Sequence, residues 1–219
     1  MALNKLNYNS LNLTPVAGKG IGFDSGADDF EASFSGGSMV FIKKLTASSS
    51  ATLSFVNGSS DVVLDSTYKE YLFTFKDIHP SGDGADFSFN MSVDTGSNYN
   101  VTKTSTHFNA RHSEDDGTET MSYITGNDLA QGTGFQVIAD GVGNGNDESG
   151  AGYLHIFNPS STTFVKHFIS NVNNYRTNDN SYNVYAAGYG NTTSAVDAIQ
   201  FKFHSGNIDA GDICLYGIN

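Results

Sequence analysis

From residue 38 onward, apolar and polar residues alternate with period two. Tyr71, Phe73 and Phe75 fall on one side of a run whose other side is Leu72, Thr74 and Lys76, and Phe87, Phe89 and Met91 alternate with Ser88, Asn90 and Ser92. A strand with one buried face requires this spacing. The same spacing, or a short apolar run between turn residues, predicts strands at 39–42, 52–56, 62–64, 135–139, 153–157, 164–169 and 182–189. Another is predicted at 106–112, with Phe108 and Ala110 on its apolar side. Asn57-Gly58 between two apolar runs predicts a hairpin. Pro80 cannot donate to a ladder and predicts the end of the strand before it. Near the C-terminus, Val196, Ile199, Phe201 and Phe203 precede a Ser-Gly-Asn turn at 205–207 and a last alternating run at 212–218. Together these predict a closing hairpin. No segment carries a helical stripe, and 125–131 has room for one helical turn at most. Strands at this density with polar turns between them predict an all-β protein, a jelly-roll-like antiparallel β-sandwich.

Residues 1–37 differ. Leu3, Leu6, Leu11 and Leu13 are spaced irregularly among Asn and Ser, and Pro15 with Gly18, Gly20, Gly22 and Gly26 rules out a long helix. Gly36-Gly37 marks a boundary. The expected organisation is an extended N-terminal arm over 1–37, whose leucines anchor it to a neighbour, and a sandwich over 38–219. The alternative is that the arm supplies the sandwich's first strands.

Composition narrows the class. The 16 Phe and 11 Tyr among 219 residues provide ample area for a core. Only 16% of residues are charged, so the polar surface is largely amide and hydroxyl. The net charge is −12, and Arg111 and Arg176 are the only arginines. Nucleic-acid binding needs a basic footprint, which is missing. Anionic membranes are disfavoured for the same reason, and no apolar run approaches the ~20 residues of a spanning helix. Cys214 is the sole cysteine, so no intrachain disulfide forms. The first residues, Met-Ala-Leu-Asn-Lys-Leu, lack a secretory-signal pattern, so synthesis in a cytoplasm is expected.

Candidate chemistry is sparse. The glycine-rich acidic stretch at 140–148 offers Asp140, Asn144 and Asn146 as calcium ligands, but Val142 and Ala151 occupy positions where ligands are needed. An ordinary surface loop is the competing interpretation, and no cofactor is otherwise expected. A glycosidase needs two placed carboxylates. The nearest grouping, Asp28, Asp29 and Glu31, lies within the glycine-rich arm, and no Gly-x-Ser-x-Gly elbow exists. The expectation is a protein that is not an enzyme. Tyr175, Arg176 and Tyr182, in the amide-rich stretch 171–183, are the candidate glycan contacts.

Several stretches resemble structural proteins of tailed bacteriophages, particularly the tail-fibre and head-decoration proteins of phages of marine bacteria. They are the run Asp65-Ser-Thr-Tyr-Lys-Glu-Tyr-Leu-Phe-Thr-Phe, Ile78-His-Pro, Gly96-Ser-Asn-Tyr-Asn, Leu154-His-Ile-Phe-Asn-Pro-Ser-Ser-Thr-Thr, and the closing run from Ser205 to Ile218. The resemblance implies a jelly-roll-like module on the virion surface, either a capsid decoration or a short tail appendage. Its implied partners are other virion proteins and further copies of itself, as a cyclic homo-oligomer such as a trimer. Host surface glycan would be a partner if the module is the receptor-recognition part of a tail fibre. The resemblance supplies no catalytic residues.

Overall fold

The computed structural model describes residues 20–23, 30–34 and 38–219. The anchoring leucines Leu3, Leu6, Leu11 and Leu13 lie outside the described residues. Within the first 40 residues, β1 (Gly20–Phe23) and β2 (Phe30–Phe34) pair antiparallel, Gly20 opposite Phe34 and Phe23 opposite Phe30.

The remaining strands are β3 (Met39–Thr46), β4 (Leu53–Val56), β5 (Glu70–Pro80), β6 (Ala85–Ser92), β7 (Lys103–Ser113) and β8 (Glu119–Tyr123). They continue with β9 (Gln136–Val142), β10 (Gly150–Phe157), β11 (Lys166–Arg176), β12 (Asn180–Gly190), β13 (Ala198–Phe203) and β14 (Ile208–Ile218). They form one antiparallel 12-stranded sheet in the order β3-β14-β5-β10-β11-β9-β6-β13-β4, with β12, β7 and β8 branching from β11. The sheet is nearly closed, like a barrel. The segment between β3 and β4 continues along β14: Ala47 N–H donates to Gly211 O (2.8 Å), Ser49 N–H to Asp209 O (3.0 Å), and Ser50 exchanges bonds with Ile208.

The period-two pattern explains the core. Tyr71, Phe73 and Phe75 of β5 are buried, as are Phe87, Phe89 and Met91 of β6, Leu154 and Ile156 of β10, and Ile213 and Leu215 of β14. Phe201 of β13 is the hub, with ring centroids 5.3 Å from Phe73 and Phe75, 5.9 Å from Phe87, 6.2 Å from Phe55 and 6.4 Å from Phe89. Each fully buried ring stabilises the fold by roughly 1.5–3 kcal/mol, and each well-placed ring pair adds about 0.5–1.5 kcal/mol. The ladder of β5 runs to Pro80 and stops there.

Three expectations are corrected. The closing hairpin does not form: β13 pairs with β4 and β6, and β14 with β3 and β5. Both edges of each strand are already occupied, so the turn at 205–207 carries the chain between distant parts of the sheet, and Asn207 N–H is held by Ser81 Oγ at 2.8 Å. Nor does Asn57-Gly58 join paired strands. Val62 and Leu64 are buried in an irregular segment, where Asn57 Oδ1 accepts the Leu64 N–H at 2.9 Å. The third correction concerns β7, whose buried face is Lys103, Ser105, His107 and Asn109, while Phe108 faces out, 37% exposed.

Candidate interaction face

β7 is inside-out relative to its sequence. Its neighbours explain how this is tolerated. Lys103 Nζ donates to Asn90 Oδ1 and to Val101 O, the latter at 2.7 Å. Ser105 Oγ donates to Gln136 Oε1 (2.6 Å) and accepts the Leu129 N–H (2.9 Å). A polar layer thus forms inside the sheet where β7 meets β9 and β6. It is incompletely satisfied: both ring nitrogens of His107, Nδ2 of Asn109 and Oδ1 of Asn174 are buried without a partner among the described residues. Desolvation pushes the Lys103 ammonium down to about 7 and holds the His107 imidazole below its ordinary value, the latter against the pull of Asp140 and Asp128.

With these polar groups inside, the outer surface of β10, β11, β12, β7 and β8 carries the apolar ones. Register places Tyr153 beside Asn171, Asn171 beside Tyr185, Tyr185 beside Phe108, and Phe108 beside Tyr123. At about 4.8 Å per strand this row spans about 19 Å. The parallel row on one side contains Ile169, Ala187 and Thr106, and that on the other Asn173, Asn183, Ala110 and Met121. None of these residues is charged, in a chain of net charge −12, although the Ile169 row continues on β10 to His155, which pairs with Glu70 at 3.1 Å. Met121 is 75% exposed, Tyr123 52% and Ile169 48%. Contiguous exposed apolar area of this kind marks a contact surface. The Phe108 and Tyr185 rings are stacked, so they stand upright on the sheet and present edges to solvent.

The glycan candidates fall at the hairpin joining β11 to β12, and they separate. Tyr182 points inward and is 4% exposed. Arg176 lies over its ring, 4.8 Å from the centroid, and pairs with Asp140 at 3.4 Å. Gly141 is required at this crossing: its φ is +64°, and a Cβ there would come within 2.5 Å of Arg176 Nε. Tyr175 points the other way. Its hydroxyl is pushed up to about 12 by loss of solvent and by its bonds to the Glu114 and Asp179 carboxylates.

The calcium candidates do not converge either. Asp140 is engaged by Arg176 and by Asn127 Nδ2 at 3.2 Å. Asn144 turns to the 81–83 turn, its backbone N–H on Asp83 Oδ1 (3.2 Å) and its Nδ2 on Ser81 O (3.4 Å). Asn146 lines a shallow acidic cleft with Asp77, His79 and Asp209. Among the described residues, no group of three or more His, Cys, Asp or Glu is arranged to hold a metal ion, and no helix is long and apolar enough to cross a membrane.

Sequence reasoning missed the outer row because it assigned Phe108 to the core. The available signal was the second alternation on the same strand, Lys103, Ser105, His107 and Asn109, which is as regular as the apolar one. Comparison with protein-family models, curated proteins and solved structures finds no match to this chain.

Proposed function

We propose that this chain is a non-enzymatic structural protein of a bacteriophage virion, displayed on the particle surface as a capsid decoration or short tail appendage. Residues 1–37 anchor it to other virion proteins, and residues 38–219 form a jelly-roll-like sandwich. In that sandwich β3-β14-β5-β10-β11-β12-β7-β8 is one layer and β9-β6-β13-β4 the other. Ring contacts between Phe73 and Phe55, Phe75 and Phe87, and Phe168 and Phe89 would pass between the layers.

The observation that carries this proposal is the inverted strand β7. A chain that buries Lys103 and His107 and displays Phe108 at the centre of an uncharged aromatic face has a surface suited to assembly. The test is immunogold labelling of intact particles with antibody raised against the full chain, alongside particles assembled with a variant lacking residues 1–37. Surface labelling, lost with the deletion, is expected. Labelling only of disrupted particles would refute display, and attachment of the truncated chain would refute the anchor.

A second reading is a carbohydrate-binding receptor-recognition module of a tail fibre. The amides between the tyrosines favour it: Asn171 Nδ2 donates to Asn183 Oδ1 at 2.6 Å in the strip between Tyr153 and Tyr185. A glycan array probed with the full chain should then give signal that Tyr153→Ala abolishes, and a blank array removes this reading.

A further inference from the structure

Among the described residues, β8 ends its branch of the sheet, paired with β7 alone. The bonding phase of that ladder is fixed at its two ends, where Ser113 N–H donates to Thr118 O and Ile124 N–H to His107 O, both at 2.9 Å. Bonded and non-bonded pairs alternate along an antiparallel ladder. Thr120 and Ser122 therefore direct their backbone groups to β7, whereas Glu119, Met121 and Tyr123 direct theirs away. All five residues are exposed. Sheet edges of this kind are ordinarily blunted by lysine, proline, bulges or brevity. β3, at one end of the main path, carries Lys43 and Lys44, and β4, at the other, has four residues. β8, Glu-Thr-Met-Ser-Tyr, has no lysine, no proline and no bulge in its register to β7.

We propose that β8 is a two-fold contact between copies of this chain, pairing antiparallel with β8 of a second copy about Met121. The strand is self-complementary about that axis. Met121 exchanges both backbone bonds with Met121 of the second copy, and Glu119 exchanges both with Tyr123 of the second copy. Every outward-directed group of the three residues is then satisfied. The single carboxylate of each strand faces a tyrosine, so no like charges meet. The side chains of Met121 and Tyr123 share the face of Ala110 and Phe108, and the dimer therefore makes the aromatic face continuous across the axis. The contact is isologous and consumes the edge it uses, so it closes at two copies. It is independent of the virion proposal, and a three-fold assembly would need another surface.

The test is sedimentation velocity of the full chain over a concentration series. The mass should double as concentration rises. Met121→Pro removes only an N–H directed away from β7, and Met121→Lys sets two cations against each other across the axis. Both should keep the mass at one copy with the unfolding temperature close to that of the unaltered chain. Register is tested by oxidation in a Cys214→Ser background. Opposed residues of a bonded pair have Cα atoms about 5.5 Å apart, within disulfide range. Met121→Cys should therefore cross-link to a covalent dimer, and Thr120→Cys should not. A chain monomeric throughout the series, a dimer indifferent to Met121→Pro, or equal cross-linking at both positions would each overturn the proposal.

Discussion

Phe108 and Tyr185 stack across β7 and β12 on the outside of the sheet, ring centroids 4.9 Å apart and planes within 8°. This is the geometry of a core pair placed at the surface. Their mutual coupling in a double-mutant cycle to serine should be about 0.5–1.5 kcal/mol by denaturant unfolding. Because water already reaches both rings, each single substitution should cost far less than a core truncation. A loss above about 3 kcal/mol for Phe108→Ser alone would mean that the ring is buried in the protein in solution.

Phe201 makes the opposite case. It is fully buried and touches the rings of Phe55, Phe73, Phe75, Phe87 and Phe89, which come from three other strands. Phe201→Ala should destabilise the fold by about 3–5 kcal/mol, the range for deleting a core aromatic without collapse of the cavity. Phe201→Leu should recover a large part of that loss. Equilibrium urea unfolding of both variants reads it directly.

These two residues also divide what was legible in the sequence from what was not. Alternation at Tyr71-Phe73-Phe75 had one apolar and one more polar side, so the face to be buried was decided locally, whereas in β6 Ser88, Asn90 and Ser92 are buried along with Phe87, Phe89 and Met91 on the other side. In β7 both sides alternate, and the local pattern selects Phe108 as the buried side. Contacts from distant segments decide otherwise, since Asn90 and Gln136 supply partners for Lys103 and Ser105. Periodicity also assigns a face but never a partner, which is why the runs around Phe201 and Leu215 were recognised as strands and yet wrongly paired. In β8, Glu-Thr-Met-Ser-Tyr, Met121 and Tyr123 share their side with Glu119, so the alternation is too weak to mark a strand, and its strand character comes from pairing with β7. The glycan candidates lie together in one stretch of sequence, 171–183, but strand pleating sends Tyr182 inward and Tyr175 away from it.

His107 predicts an acid-side loss of stability. Its ring is fully buried with both nitrogens unpartnered, and desolvation lowers its pKa from the ordinary 6.5 despite the opposing pull of Asp140 and Asp128. Above pH 6.5 the ring is neutral in both states and costs nothing further. Below it the unfolded chain binds a proton that the native chain resists, so stability falls as pH drops through 6.5 toward the lowered native value. His107→Leu should flatten this decline and leave stability at pH 8 unchanged or higher, because it removes two unsatisfied polar atoms. Melting curves between pH 5 and 8 provide the check.

Lys103 acts on the alkaline side. Burial lowers its pKa from the ordinary 10.5 to about 7. Below pH 7 the ammonium is charged in both states and its desolvation cost is fully present. Between about 7 and 10.5 the unfolded chain keeps a proton that the native chain has released, so stability rises with pH, approaching about 1.4 kcal/mol per pH unit. Tyr71, held up at about 12 by burial, opposes the rise above pH 10, where only the unfolded phenol ionises. The slope should therefore be measured by urea unfolding between pH 7 and 9. Lys103→Met, whose unbranched side chain is one atom shorter and carries no charge, should abolish it. It should also raise stability at pH 7 by less than the desolvation cost removed, because Asn90 Oδ1 and Val101 O lose their donor. An unchanged slope in that variant would mean that Lys103 keeps its proton in the native state, held by those two acceptors.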